Sequence, residues 1–162
     1  MLSRRNLTLS GLGVALAATG LRRSPATAAE QFPVSKPEAE WKAELTPAQY
    51  DTLRGHGTER PGSSPFDKIY AAGEYRCAGC GQPLFSSETK YDSGTGWPSF
   101  YTPFEKAVGF STDHKLASPR TEVHCSRCGG HLGHVFDDGP PPTGKRYCMN
   151  GVAMTFTPHS EK

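Results

Sequence analysis

Five cysteines and a closely spaced histidine pair carry most of the reactive chemistry in this 162-residue sequence. Four of the cysteines stand as Cys77-Ala-Gly-Cys80 and Cys125-Ser-Arg-Cys128, each unit followed by a glycine, Gly81 and Gly129. That is the spacing of paired zinc knuckles, in which tight turns aim four thiolates at one tetrahedral ion. The 44 residues between Cys80 and Cys125 exceed the usual separation, so one structural zinc ion is expected to clip distant segments together. A mixed site of two cysteines and two histidines, from Cys125, Cys128, His131 and His134, is the competing arrangement and would leave Cys77 and Cys80 as a redox pair. It is unnecessary, because four cysteines already complete the tetrahedron.

Cys148 has no place in that set. A lone cysteine is either a small buried hydrophobe or a nucleophile, and its neighbours favour the second. Arg146 lies two residues away, on the same face of a strand, where its charge would favour the thiolate. Asn150 shares that face and could donate to a developing oxyanion. His131 and His134 lie upstream and could supply a proton to a leaving oxygen. Residues three apart face opposite sides of a regular strand, so Gly133 must mark a bend or bulge for both histidines to converge. Blander readings stand beside these: Trp97 as core, Asp137-Asp138 as a solvated turn, Arg60 as a surface charge.

The elements that must hold these groups are short. Residues 30–36 read as a flexible arm, and Pro37 to Leu45 as one or two helical turns with Trp41 and Leu45 on one side. Thr46-Pro47 is a helix start, Tyr50 and Leu53 its buried side, and Gly55 its end. Beyond Gly55 no helical period survives. Runs at 75–77, 84–86, 107–111, 121–124, 132–136, 146–149 and 153–157 are separated by Gly, Pro, Asp and Ser, which predicts antiparallel sheets joined by turns. A proline-rich loop from Asp137 to Lys145 delivers the chain to Cys148. With 18 Gly and 14 Pro, a helical bundle is excluded.

The first 29 residues read as an export signal rather than as part of the fold. Arg4-Arg5 precedes a modest apolar stretch from Leu7 to Leu21, and Ala26-Thr27-Ala28 supplies a small-residue cleavage pattern. Paired arginines before a weak apolar core resemble a twin-arginine signal, which would carry a folded, metal-loaded protein out of a bacterial cytoplasm, for instance to the periplasm. An ordinary secretory signal is the other reading. Residues 30–162 are then the mature domain. Four of the 18 basic residues and none of the 16 acidic ones fall in residues 1–29, so the remainder is net acidic by two charges. That balance argues against nucleic-acid binding. No run reaches the roughly 18 apolar residues of a membrane span, so stable membrane insertion is not expected.

Taken together, the blocks Leu45-Thr46-Pro47 with Tyr50, His56-Gly57-Thr58-Glu59-Arg60-Pro61, Ser93-Gly94-Thr95-Gly96-Trp97-Pro98-Ser99-Phe100, both knuckles, His131-Leu-Gly-His134-Val-Phe and Arg146-Tyr-Cys148-Met-Asn150 resemble the B-type methionine sulfoxide reductases. The resemblance runs from about Pro33 to Pro158. It implies a mainly β fold of two antiparallel sheets with short N-terminal helices and a structural zinc site of four cysteines. It also implies reduction of methionine R-sulfoxide in peptides and proteins. Cys148 would attack the sulfur and end as a sulfenic acid. Trp97 would pack on the substrate methyl group with Arg146 in the binding site, while His131, His134 and Asn150 orient substrate and handle its oxygen. Many relatives carry a resolving cysteine at the position of Thr95. Its absence implies that an external thiol, from a thioredoxin-like protein or another reductant, completes the cycle. A zinc-ribbon-like binding module with an inert Cys148 is the alternative.

Overall fold

A computed structural model describes residues 31–159. The N-terminal export signal expected from the sequence lies outside these described residues. Two short helices, α1 (Glu38–Glu44) and α2 (Pro47–Gly55), precede nine strands: β1 (Gly73–Cys77), β2 (Pro83–Ser86), β3 (Lys90–Tyr91), β4 (Ser99–Phe100), β5 (Val108–Asp113), β6 (Arg120–Cys125), β7 (His131–Phe136), β8 (Arg146–Met149) and β9 (Met154–Pro158). They form a three-stranded sheet in the order β2-β1-β9 and a six-stranded sheet in the order β3-β4-β8-β7-β6-β5. Every pairing is antiparallel. The mainly β expectation holds, with two sheets and two short helices.

The helix boundaries follow from side-chain chemistry. Thr46 accepts from the Gln49 N–H at 3.3 Å while the Gln49 side chain accepts from the Thr46 N–H at 3.0 Å. This reciprocal cap satisfies two backbone donors that a helix start leaves open and contributes about 1 kcal/mol. Gly55 ends α2 as expected, but the left-handed residue is His56 (φ 55°), with the Gly57 N–H closing onto the Asp51 carbonyl at 2.9 Å. Trp41, Leu45 and Leu53 are all buried. Leu53 alone contributes about 2 kcal/mol by leaving water.

Aromatic side chains join the two sheets. Tyr75 of the small sheet meets Phe100 of the large one edge-on at 5.0 Å, and Phe85 stacks on Phe100 at 4.3 Å. Tyr75, Phe85, Phe100, Leu132 and Met149 are wholly buried. The arm before α1 departs from the flexible segment expected. Phe32 packs edge-on to His124 at 5.5 Å, and the Val34 N–H donates to the Arg127 carbonyl at 2.8 Å. Hydrophobic burial at Phe32 and one backbone hydrogen bond hold it onto the second cysteine turn. Strands β3 and β4 were not foreseen, since two residues carry no readable alternation. Among the described residues no helix is long and apolar enough to cross a membrane.

Candidate active site

The four knuckle cysteines converge. Cys77 closes β1 of the small sheet and Cys125 closes β6 of the large one, so the cluster joins the two sheets. Both turns have the same geometry. Gly81 N–H reaches back to Cys77 C=O and Gly129 N–H to Cys125 C=O, each at 2.8 Å, with the glycines at φ 70° and 68°. Only glycine adopts that left-handed conformation without strain. The four sulfurs lie within 4.8 Å of one another, with Cys77–Cys128 at 3.7 Å and Cys80–Cys125 at 3.5 Å. Four thiolates about 2.3 Å from a tetrahedral zinc ion would be spaced by about 3.8 Å, so the cluster fits such an ion. The mixed cysteine–histidine alternative is corrected here, because both histidines are committed to carboxylates instead.

Cys148 lies apart from that cluster, in a row of residues in register across the large sheet. Ser99 on β4 faces Cys148 on β8, Cys148 faces His134 on β7, His134 faces Glu122 on β6, and Glu122 faces Ser111 on β5. Residues opposite one another on antiparallel strands share a face with side chains about 5 Å apart. A thiol, an imidazole and a carboxylate thus stand side by side, although the sequence scatters them.

The expected irregularity at Gly133 is present. Val123 faces Gly133 but His124 faces His131, which leaves Leu132 as the extra residue of a bulge. The bulge brings His131 round to the side of His134, with ring centroids 5.3 Å apart. A side chain at 133 has no room, since a Cβ there would sit 2.2 Å from the Cys148 carbonyl oxygen. Gly133→Ala is therefore expected to push β7 from β8, costing at least about 2 kcal/mol and disturbing Cys148. Paired thermal melts and thiol alkylation rates check it.

Each histidine is held by one carboxylate. His134 Nε2 lies 2.7 Å from Asp113 Oδ2, and Arg120 Nη2 donates to that same oxygen at 2.6 Å. That leaves His134 Nδ1 as the nitrogen available to the cavity. His131 Nδ1 lies 2.6 Å from Glu122 Oε1, with His56 Nδ1 2.9 Å from the same atom. The Ser111 hydroxyl donates to the other Glu122 oxygen. Burial would raise the Glu122 carboxyl, but the hydrogen bonds from His131 and Ser111 outweigh it and bring it down to about 2. These bonds account for the convergence of His56, Glu122 and His131, whose ligand-type atoms lie within 4.8 Å of one another.

A cavity of about 180 Å³ opens over the row. Its walls include Trp97, Phe136, His134, Cys148, Asn150 and Arg146. His131 is not among the residues of the wall, and its Nε2 is buried without a partner among the described residues. Trp97 Nε1–H donates to the Glu59 carbonyl at 3.2 Å. Asn150 accepts from the Glu59 N–H at 3.1 Å and gives one amide hydrogen to the Leu132 carbonyl at 3.1 Å, keeping the second amide hydrogen for the cavity.

Arg146 lines the cavity, but its guanidinium is clamped in two 2.8 Å bonds to Asp138 and lies 4.3 Å over the Phe136 ring. Asp138 is exposed, as a solvated turn would be, and it is also the partner of Arg146. Cys148 is half-buried, with Thr95 Oγ1 3.9 Å from its sulfur. Burial pushes its thiol above the ordinary 9.0, and the opposing pull of Thr95, Arg146 and Ser99 does not overcome it. The Arg146 charge favours the thiolate as expected, although the guanidinium is shared with Asp138 and burial outweighs its pull. Burial likewise takes His134 below its ordinary 6.5, with Asp113 pulling the other way.

Asp113, Arg120, Glu122 and His56 escaped the sequence reading. The available signal was an acid at 122 inside a run read as strand, opposite a histidine-bearing run.

A cysteine beside an imidazole at the foot of an aromatic-walled cavity is the apparatus of a thiol-dependent enzyme, and a binding module with an inert cysteine is not favoured. Residues 45–158 match the model of the SelR domain. The chain is similar to proteins named peptide methionine sulfoxide reductase MsrB. The one from Agrobacterium fabrum is 53% identical, over 77% of this chain and 93% of the relative. That from Thiobacillus denitrificans is 56% identical over 76% and 94%, and that from Methanosarcina barkeri 54% over 81% and 93%. The chain belongs to the SelR-domain family.

Proposed function

We propose that the protein reduces methionine R-sulfoxide in peptides and proteins to methionine, repairing oxidative damage. The observation that carries this reading is Cys148 directly across from His134 at the base of a cavity walled by Trp97 and Phe136. The aromatic walls suit an S-methyl group. A proton passes from Cys148 towards His134, and the thiolate attacks the sulfoxide sulfur. His134 Nδ1 protonates the sulfoxide oxygen, with Asn150 donating to it and His131 holding the imidazole pair in place. The oxygen then passes to the Cys148 sulfur as the substrate's sulfur–oxygen bond and the newly formed sulfur–sulfur bond break. Methionine leaves with its sulfur electron pair restored, and Cys148 is left as sulfenic acid. Two external thiol groups then return Cys148 to the thiol, becoming a disulfide and releasing water. The purified protein with a dithiol reductant is expected to consume the R epimer and leave the S epimer. Consumption of the S form alone, or of neither, overturns the reading.

The productive protonation state holds one proton between Cys148 and His134. Below the pKa of His134 a second proton blocks thiolate formation, and above that of Cys148 no proton is left for the oxygen. With the first group below 6.5 and the second above 9.0, kcat/KM is expected to be flat between those values. A limb falling inside that window would contradict the pairing.

Thr95 stands where a resolving thiol would be needed, and the other four cysteines form the cluster. Peptide mass mapping of oxidised protein is therefore expected to find sulfenic acid or a mixed disulfide at Cys148, and no internal disulfide to it. The reductant is an external thiol, thioredoxin-like or smaller. The cluster holds one zinc ion, which ties the sheets together and takes no part in the reaction. Residues 1–29 act as a twin-arginine export signal, so that residues 30–162 work outside the bacterial cytoplasm. Residues 4 and 5 and the small-residue site at 26–28 support this reading.

A further inference from the structure

We infer that Glu59 is the positioning residue that fixes Trp97 and Asn150 relative to each other, and so sets substrate affinity and the preference between sulfoxide epimers. The inference rests on the reductase reading above. Glu59 lies in the loop after α2, remote in sequence from both side chains, and it bonds to both walls of the cavity. Its backbone N–H donates to Asn150 Oδ1 at 3.1 Å, which turns the Asn150 amide nitrogen towards the Leu132 carbonyl and the cavity. Its carbonyl accepts from Trp97 Nε1 at 3.2 Å, which sets the indole plane. Its carboxylate accepts from the N–H groups of Gly151 and Val152 at 2.5 and 3.1 Å.

Those last two donors open the 3-10 turn Gly151–Ala153 that follows Asn150 directly. One residue thus holds the indole, the amide and the backbone carrying the amide. The backbones carrying Trp97 and Asn150 are joined where the Met149 N–H donates to the Pro98 carbonyl at 3.0 Å, but the indole and the amide themselves are both tied to Glu59. The carboxylate is half-buried, and burial raises its pKa against the two N–H bonds. Taking a carboxylate out of water is costly, which makes those two bonds the reason for its position. Glu59 makes no hydrogen bond to Cys148 or His134. Losing its side chain should therefore loosen the walls that read the sulfoxide and leave the nucleophile as it was.

The test uses metal-loaded full chain and two variants, Glu59→Ala and Glu59→Gln. Gln keeps one acceptor oxygen but sets an NH2 against one of the two backbone donors. For Glu59→Ala, kcat/KM on the R epimer is expected to fall by about tenfold or more, chiefly through KM, because small misplacement of binding groups has large kinetic effects. The ratio of R to S turnover should shrink with it, and Glu59→Gln should lie between Ala and the parent. Alkylation of Cys148 by iodoacetamide should proceed at the parental rate in both. An unchanged KM and epimer ratio in either folded variant overturns the inference. So does a loss of kcat that tracks slower alkylation and a lower melting temperature, which would mark a merely structural residue. If Glu59→Ala does not fold, the KM and epimer ratio of Glu59→Gln decide alone. A parent protein inactive on both epimers would sink the reductase reading instead, an outcome separate from these.

Discussion

Cys148→Ser is expected to reduce methionine production at least about a thousandfold, while the protein keeps its fold and its metal. Serine is nearly the same size, and the hydroxyls of Thr95 and Ser99 already surround the position as polar neighbours. The stability change should therefore stay within about 1 kcal/mol. The chemistry has no such tolerance. A sulfur nucleophile takes the sulfoxide oxygen as a sulfenic acid, whereas an oxygen nucleophile would have to form a peroxide, a far less stable product. Nor does an alcohol supply a thiolate's polarisable lone pair near neutral pH. Chromatography of free methionine, circular dichroism and metal analysis together decide the matter. Turnover above a few per cent of the parent would move the nucleophile elsewhere, and lost metal would tie Cys148 to the cluster.

The second large effect concerns the cysteine cluster. Stripping the metal with a chelator under reducing conditions is expected to lower the melting temperature by more than about 15 °C, and Cys125→Ser should do nearly the same. Cys77 and Cys125 are almost wholly buried, and each ends a strand of a different sheet. Structural zinc binding at such sites is worth about 10 kcal/mol or more in isolated peptides, comparable with the whole stability of a domain. Losing even a third of that would move the midpoint by about this amount at this chain size. Calorimetry of holo and metal-free protein checks it, and coincident melts would show that aromatic packing alone holds the sheets together. The loss of activity should follow unfolding and reverse on adding zinc, since no knuckle cysteine lines the cavity.

The two effects differ in how far they could be read from residue order. The knuckles are local: two residues between cysteines and a following glycine nearly dictate the turn. The capping pair at Thr46 and Gln49 is local in the same sense, and α2 begins and ends where expected. Longer strands revealed themselves as runs set off by Gly, Pro, Asp and Ser, but β3 and β4 are too short to do so. The arm at Phe32 read as flexible because its partners, Gly129 and His124, come from the far end of the chain. Arg146 pulls the Cys148 thiol down as its position in the sequence suggested, but the burial that outweighs it was not legible there. The spacing of Arg146 from Cys148 is visible in sequence, while the bidentate hold of Asp138 on it is not.

By itself the sequence determined which atoms are available: four sulfurs for a metal, one sulfur spared from it, histidines near that sulfur, and a glycine where the strand had to bend. The folded arrangement decided what those atoms do. It placed Ser99, Cys148, His134, Glu122 and Ser111 in one row, gave each histidine its carboxylate, and raised the Cys148 pKa by burying the thiol. The physical reason is range. Turn and cap geometry depends on a few adjacent dihedral angles, whereas strand register and desolvation depend on packing among residues dozens of positions apart.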